Sequence, residues 1–221
     1  MEQQTETKHR EKLSRERVID AALRVMDTDG LEAVSMRRIA REVGVEAMSL
    51  YNHVHDKDDL LEGIRLRVFS EFVFPDLDPH DPYENGRRVA HSWRDLLKAH
   101  PNMLELLAEE HEPPSSLEAF AAMEVALSVL RSMGVPDEEM VQVFHAFGGY
   151  IQGYTMMEHQ MDFQKHGGPA GLAELGRRID ASQLPCVAAA LPYMADCDLD
   201  AQFSLGLDLM LQGMRARYGS A

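Results

Sequence analysis

Val18, Ala21, Ala22, Val25 and Met26 recur at the spacing of one helix face, which predicts a first helix from about Ser14 to Asp29, ended by Gly30 at the position after its last turn. Ser35 supplies a cap for a second helix whose inward face is Met36, Ile39, Ala40 and Val43. Gly44 gives the backbone freedom that a sharp turn needs, because a residue with a Cβ is strained in the left-handed region. A short third helix follows from Ala47 to His53, holding only Leu50 and Val54 inward. Asp56 then caps a fourth, connecting helix of about 57–74, with Leu60, Leu61, Ile64, Val68 and Phe72 along one face.

Pro75, Pro79 and Pro82 punctuate PDLDPHDPY, a stretch that cannot be helical throughout. Beyond it the pattern is again helical. Val89, Trp93, Leu96 and Leu97 mark one helix, and a short piece from Asn102 to His111 is broken by Pro113 and Pro114. Ser115 and Glu118 form a capping box for a helix closed by Gly134, and Asp137 caps another through about Met161. The last runs from about Leu199 to Arg217, and the glycines of the intervening HGGPAGLAELG predict a mobile loop with room for a short helix. No hairpin signal or internal repeat stands out, so the predicted class is all-α. Two domains are expected, 1–57 and 58–221.

The formal charge of −15 argues at first against a nucleic-acid partner, so its distribution decides. Residues 1–57 hold 10 Lys and Arg against 11 Asp and Glu, and the remainder hold 12 against 26. The acidity therefore sits almost wholly in the second part. Two cysteines, Cys186 and Cys197, with no CxxC spacing, read as reduced structural thiols of a cytoplasmic protein. The polar start and the lack of any long uninterrupted apolar run predict neither export nor a membrane partner.

Residues 31–57 have the layout of a helix-turn-helix, which must bury one stripe while exposing side chains to base edges and phosphates. With Leu50 and Val54 inward, Ala47, Met48, Ser49, Tyr51 and Asn52 lie on the open side, His53 lies near the helix end, and Lys57 opens the next helix. Asn52 suits adenine, Met48 and Ala47 suit a thymine methyl, Arg37 suits guanine, and Lys57 suits phosphate; Ser35 completes the polar set. The competing reading makes Tyr51 a half-buried ring covering the core, and His53 an exposed residue at the helix end. Double-stranded operator DNA is the expected partner.

The first 57 residues resemble the TetR family of bacterial regulators. The resemblance is carried by Ala21-Ala22, Gly30-Leu31, Ser35-Met36-Arg37, Ile39-Ala40, Gly44-Val45, Leu50-Tyr51 with His53, and Lys57 ahead of Leu60-Leu61. It continues more weakly in FGGYIQGYTMMEHQ and AQFSLGLDLMLQG. It implies an N-terminal three-helix DNA-binding domain, a larger helical ligand-binding and dimerisation domain, and a homodimer built from the last two long helices. Two positions depart from the family's habit: Glu46 stands where many members have Ser or Asp, and Met48 where Gly, Pro or Ser is frequent. Both bear on operator sequence.

Independently of that, the helix from Asp137 and the last helix each carry an apolar face interrupted by glycine, which costs roughly 1 kcal/mol inside a helix and so points to close packing. Phe144, Gly148, Ile151 and Gln152 with Phe203, Leu207, Met210 and Met214 form the expected interface between two copies. The competing reading buries the same residues inside one chain. The abundance of methionine, 14 in all, together with aromatic residues predicts an adaptable apolar effector cavity, with Trp93, Met123, Leu127, Phe144 and Phe147 in its lining and His100, His111 and His145 as candidate polar anchors. Positions that align with the magnesium-tetracycline pocket of the family carry Val89, Leu107, Ala126, Gly149 and Met157, so the expected effector is a more apolar small molecule that needs no metal or other cofactor. Leu107 and Met157 are counted with the cavity.

The resemblance implies a repressor, although the residues fit an activator of the same fold equally well. A helical-bundle enzyme is the reading of another class. A di-iron bundle needs two Glu-x-x-His elements on facing helices, and no such pair is present, nor is GxSxG, HExxH, a P-loop or GxGxxG.

Overall fold

The computed structural model describes residues 12–108, 117–160, 171, 174, 176–194 and 198–219. Ten α-helices and one 3₁₀ turn, but no strand, occur among them. In chain order they are α1 (Arg15–Asp29), the 3₁₀ turn Leu31–Ala33, α2 (Met36–Val43), α3 (Ala47–Leu50), α4 (Lys57–Phe69), α5 (Pro82–Ala99), α6 (Met103–Ala108), α7 (Leu117–Ser132), α8 (Asp137–Gln160), α9 (Pro185–Met194) and α10 (Leu199–Tyr218). The chain divides into two compact units. One holds the residues through Glu71 and a segment that begins at Asn102; the other holds 72–101 and the chain from Phe120 onward.

In the first unit the local chemistry acts where the sequence places it. Ser14 accepts from the Arg17 amide and Ser35 from the Arg38 amide, each at 3.3 Å, so both helices start with a capped donor. Gly44 adopts φ 72°, ψ 41°, and the Val45 amide reaches back to the Ala40 carbonyl at 3.0 Å, closing α2 with a left-handed turn. Gly30 has φ 91°, also open only to glycine at little cost. The buried stripe is Val18, Ala22, Val25, Met26, Ile39, Leu50, Val54, Leu60, Ile64 and Val68.

Two predicted boundaries move. Regular α3 stops at Leu50 rather than His53; the amides of His53 and Val54 both reach the Leu50 carbonyl, at 2.8 and 3.0 Å, in a turn that swings Val54 into the core. The connecting helix α4 ends at Phe69 rather than near 74. Val73 is β-branched and Phe74 precedes Pro75, and both features favour extended backbone. Phe72 instead meets Phe74 and Trp93 edge-on, with ring centres 4.7 and 6.0 Å apart, in the second unit.

Asn102, far along the chain, belongs with the first unit. Its side-chain amide donates to the Met26 carbonyl at 2.8 Å, a second bond to an acceptor that also takes the Gly30 amide at the end of α1, and α6 behind it packs against α4 with Met103, Leu104 and Leu106 buried.

In the second unit α5 starts from an Asp81 cap with Pro82 in its first turn and packs on α8 and α10. Phe203 is fully buried at their centre, stacked on Tyr150 at 5.4 Å, and the Tyr150 hydroxyl donates to the Phe203 carbonyl at 2.7 Å. Arg94 lies beside it, its side chain only 3% exposed. Its guanidinium sits 4.6 Å from the Phe203 ring centre and pairs with Glu158 at 2.9 Å and Asp200 at 2.7 Å. Burial opposes the charge on Arg94, and the two carboxylates outweigh that cost, so its pKa is raised. Lys98 joins the same pair of acids at 3.1 and 3.7 Å.

The predicted capping box at Ser115 and Glu118 and the end of the α8 helix at Met161 lie outside the described residues or side chains. Of HGGPAGLAELG only positions 171, 174 and 176 are described. Helix α9 is absent from the sequence expectation.

Candidate nucleic-acid interface

The α2–turn–α3 segment presents two faces of opposite character. One is Ile39, Ala40, Val43 and Leu50, buried against α1 and α4; the other is a row of side chains left to solvent. Met48 is 75% exposed and Tyr51 48%. Arg37, Asn52 and Lys57 are also exposed, and none of these five makes a hydrogen bond or ion pair among the described residues. Ser35 is exposed with its hydroxyl committed to the cap of α2, while Ala47, Ser49 and His53 are half-buried.

Several other cations of the same unit are already spent. Arg38 binds Asp29 at 3.0 Å and Glu42 at 2.8 Å, and Arg67 binds Asp20 at 2.9 Å. Arg15 donates to Asp59 at 2.9 Å and to the His53 carbonyl at 3.1 Å, while Asp59 also accepts from the His55 amide at 2.7 Å. That node fastens the end of the reading segment to both α1 and α4. Bonding to Arg15, above all, holds the Asp59 carboxyl down at about 2. The unpaired cations are thus sorted from the structural ones, and the sorting adds Arg41. It is exposed without a partner one turn beyond Arg37, an i, i+4 relation that the sequence alone could have supplied.

The candidate interface between copies needs correction. Phe203 and Leu207 have no exposed surface within one chain, and Ile151 and Met214 are also buried. A side chain already covered by its own chain offers no area to a second copy, so these four are core. Phe144, Gly148, Gln152 and Met210 are partly open. The large apolar residues that do face solvent on the same two helices are Val141, Met156 and Met157 on α8 and Leu205 and Leu209 on α10, the last two 62% and 63% exposed. A Cβ on Gly148, Gly149, Gly153 or Gly213 would meet nothing, whereas one on Gly206 would strike the Tyr150 ring, so Gly206 serves packing inside the chain.

Of the expected effector residues, Trp93, Met123, Leu127, Phe144 and Phe147 are half-buried in the second unit and Met157 is exposed there; Leu107 is half-buried on α6, in the first unit. His111 lies outside the described residues. A half-open cleft of about 210 Å³ beside the start of α5 and the end of α10 is lined instead by charged residues, among them Asp81, Glu84, Arg87, Asp208 and Arg215. No helix among the described residues is long and apolar enough to cross a membrane.

Comparison with known proteins places this geometry. Residues 18–64 match the bacterial regulatory proteins of the tetR family, and residues 74–218 match the tetracyclin repressor-like C-terminal domain. The chain is similar to the HTH-type transcriptional repressor DrrR1 of Streptomyces coeruleorubidus, 28% identical over 91% of this chain and 77% of that one. It is also similar to the class D tetracycline repressor protein of Escherichia coli, 23% identical over 93% and 91% of the two chains. Among solved structures, the Streptomyces coelicolor TetR family protein ActR in complex with actinorhodin superposes with a TM-score of 0.83 at 25% identity, covering 95% of this chain and 99% of ActR.

Proposed function

The chain belongs to the TetR family of bacterial regulatory proteins, and from that premise we propose that it is a ligand-responsive transcriptional repressor that binds a palindromic operator as a homodimer and is released by a small, largely apolar effector. One observation carries the DNA side of this reading. Arg37, Met48, Tyr51, Asn52 and Lys57 stand unpartnered in solvent on a segment whose opposite face is fully buried. A folded chain gains nothing for itself by holding a methionine and a tyrosine out in water beside free cations. A duplex offers thymine methyls, base edges and phosphates to each of them.

The homodimer follows from need and from surface. A single short reading segment contacts few base pairs, and two of them about 34–36 Å apart meet successive major grooves. Val141, Met156, Leu205 and Leu209, with the open glycines of α8 and α10, form the exposed apolar surface that would pair. Repression is supported by the similarity to DrrR1 and to the class D tetracycline repressor. The effector class rests on the half-buried apolar residues of the second unit and on ActR, whose solved complex holds actinorhodin. Release requires that the effector bind one dimer state better than the other, since equal affinity for both shifts nothing. α4 is the element proposed to carry the shift, because it begins at Lys57 and packs on both α1 and α6.

The test is selection of DNA from a random pool by the purified protein. Enrichment of a palindrome with half-sites about one helical turn apart is expected. A pool that stays random overturns the reading.

A further inference from the structure

The acidic residue beside the reading segment has no structural employment. Glu46 immediately precedes α3 in extended backbone, φ −72°, ψ 142°, the position from which a side chain normally caps the helix, yet it makes no capping bond. It is exposed, and its carboxylate pairs with nothing among the described residues. Several acids around it have work: Glu42 holds Arg38, Asp29 holds Arg38 as well, Asp56 caps α4, and Asp59 holds Arg15. Glu32 and Asp58 are also exposed without a partner among the described residues, but they lie in the 3₁₀ turn and in the first turn of α4, off the start of α3. Free cations are present on the same segment at Arg37 and Arg41, and Glu46 binds neither.

A lone carboxylate here is costly for a protein that approaches phosphates, because it repels the backbone that the cations attract. Side chains at the start of a reading helix lean toward that end, beyond the first turn, and in a helix-turn-helix this is the end that contacts base edges. A carboxylate has no donor to offer but accepts well, and the major-groove donors of a duplex are the exocyclic amino groups, N4 of cytosine and N6 of adenine.

We propose that Glu46 is a specificity-determining residue that reads an exocyclic amino group in the major groove, cytosine N4 in the first instance, and rejects base pairs that present only acceptors at that point. The proposal rests on the reading of α2 and α3 as the DNA-contacting segment. Its charge works by exclusion as much as by attraction: the repulsion is felt on every sequence, and only the sequence that supplies the amino group offsets it.

The test takes the operator selected by the wild-type protein and measures the affinity of wild type, Glu46→Gln and Glu46→Ala for every single base-pair substitution of one half-site. Wild type is expected to lose about tenfold at one base pair when its amino-bearing base is replaced, and Glu46→Ala to lose that preference while binding unrelated DNA more tightly. Glu46→Gln, which both donates and accepts, is expected to move the preference at that pair toward adenine. A wild-type preference for adenine at that pair, abolished in Glu46→Ala, assigns N6 as the group read. If Glu46→Ala keeps every base preference and only tightens all sequences alike, the residue is a plain electrostatic brake and the proposal fails. A wild-type protein that enriches no sequence overturns the underlying reading, and this one with it.

Discussion

Arg15 and Asp59, 44 positions apart, are joined by a two-pronged ion pair, and the same guanidinium holds the carbonyl of His53 at 3.1 Å. The sequence shows neither partner as special, yet the pair decides where the reading segment ends relative to α1 and α4.

Acid should dissolve that node. The Asp59 carboxyl is held at about 2 against an ordinary 3.8, so its contribution to stability is fully present above about pH 4 and disappears as the pH falls toward 2. With Arg15 41% exposed, solvent screening reduces the contribution to about 1 kcal/mol. Asp59→Asn is therefore expected to be less stable than wild type by about that amount at pH 7 in urea unfolding, with the gap closing below pH 4. A gap that stays constant down to pH 2 would refute the assignment.

On the DNA side, Tyr51→Ala and Lys57→Ala should separate base reading from phosphate holding. Tyr51 is half in solvent, so its removal leaves the melting temperature close to that of wild type while operator affinity drops about tenfold or more. Lys57→Ala should weaken operator and random DNA alike and lower the slope of log affinity against log salt by about one. Should Tyr51→Ala unfold the chain, the ring is a structural cover instead.

Asn102→Ala removes the donor that meets the Met26 carbonyl. The bond is partly buried and neutral, so about 1 kcal/mol of stability is expected to go, read as a lower urea midpoint with an unchanged slope. A variant as stable as wild type would mean that water replaces the amide without loss.

The contrast between Phe203 and Leu209 distinguishes core from interface. Phe203→Ala empties the centre of α5, α8 and α10 and should cost about 3–5 kcal/mol in any oligomeric state. Leu209→Asp, on the exposed side of α10, should leave the helix content intact and shift the sedimentation coefficient to that of a monomer. A Leu209→Asp protein that still sediments as a dimer would move the interface elsewhere.

Features set by neighbouring residues were legible in the chain: the Ser35 cap, the Gly44 turn and the exposed row from Arg37 to Lys57 follow from local chemistry and helical period. What covers an apolar face is not local. Phe203 and Leu207 carry the same signal whether they meet their own chain or another, and only the fold shows α5 lying on them. The end of α4 was overshot because Phe72 continues the helical period, although Pro75 had already tipped the backbone before it toward extension. α9, apolar around its whole circumference and carrying an internal proline, has no stripe to read. Glu46 stands out in the sequence as a departure from the family's habit, but that its side chain makes no capping bond at the start of α3 is visible only in the fold.

Arg94 grips Glu158 near the end of α8 and Asp200 at the beginning of α10, so a single guanidinium pins two distant points of the chain to each other. The entropy of tying two such points grows only slowly with the length between them, by about 0.6 kcal/mol for each doubling. The clasp is therefore set by the arginine and its two acids far more than by how many residues separate them.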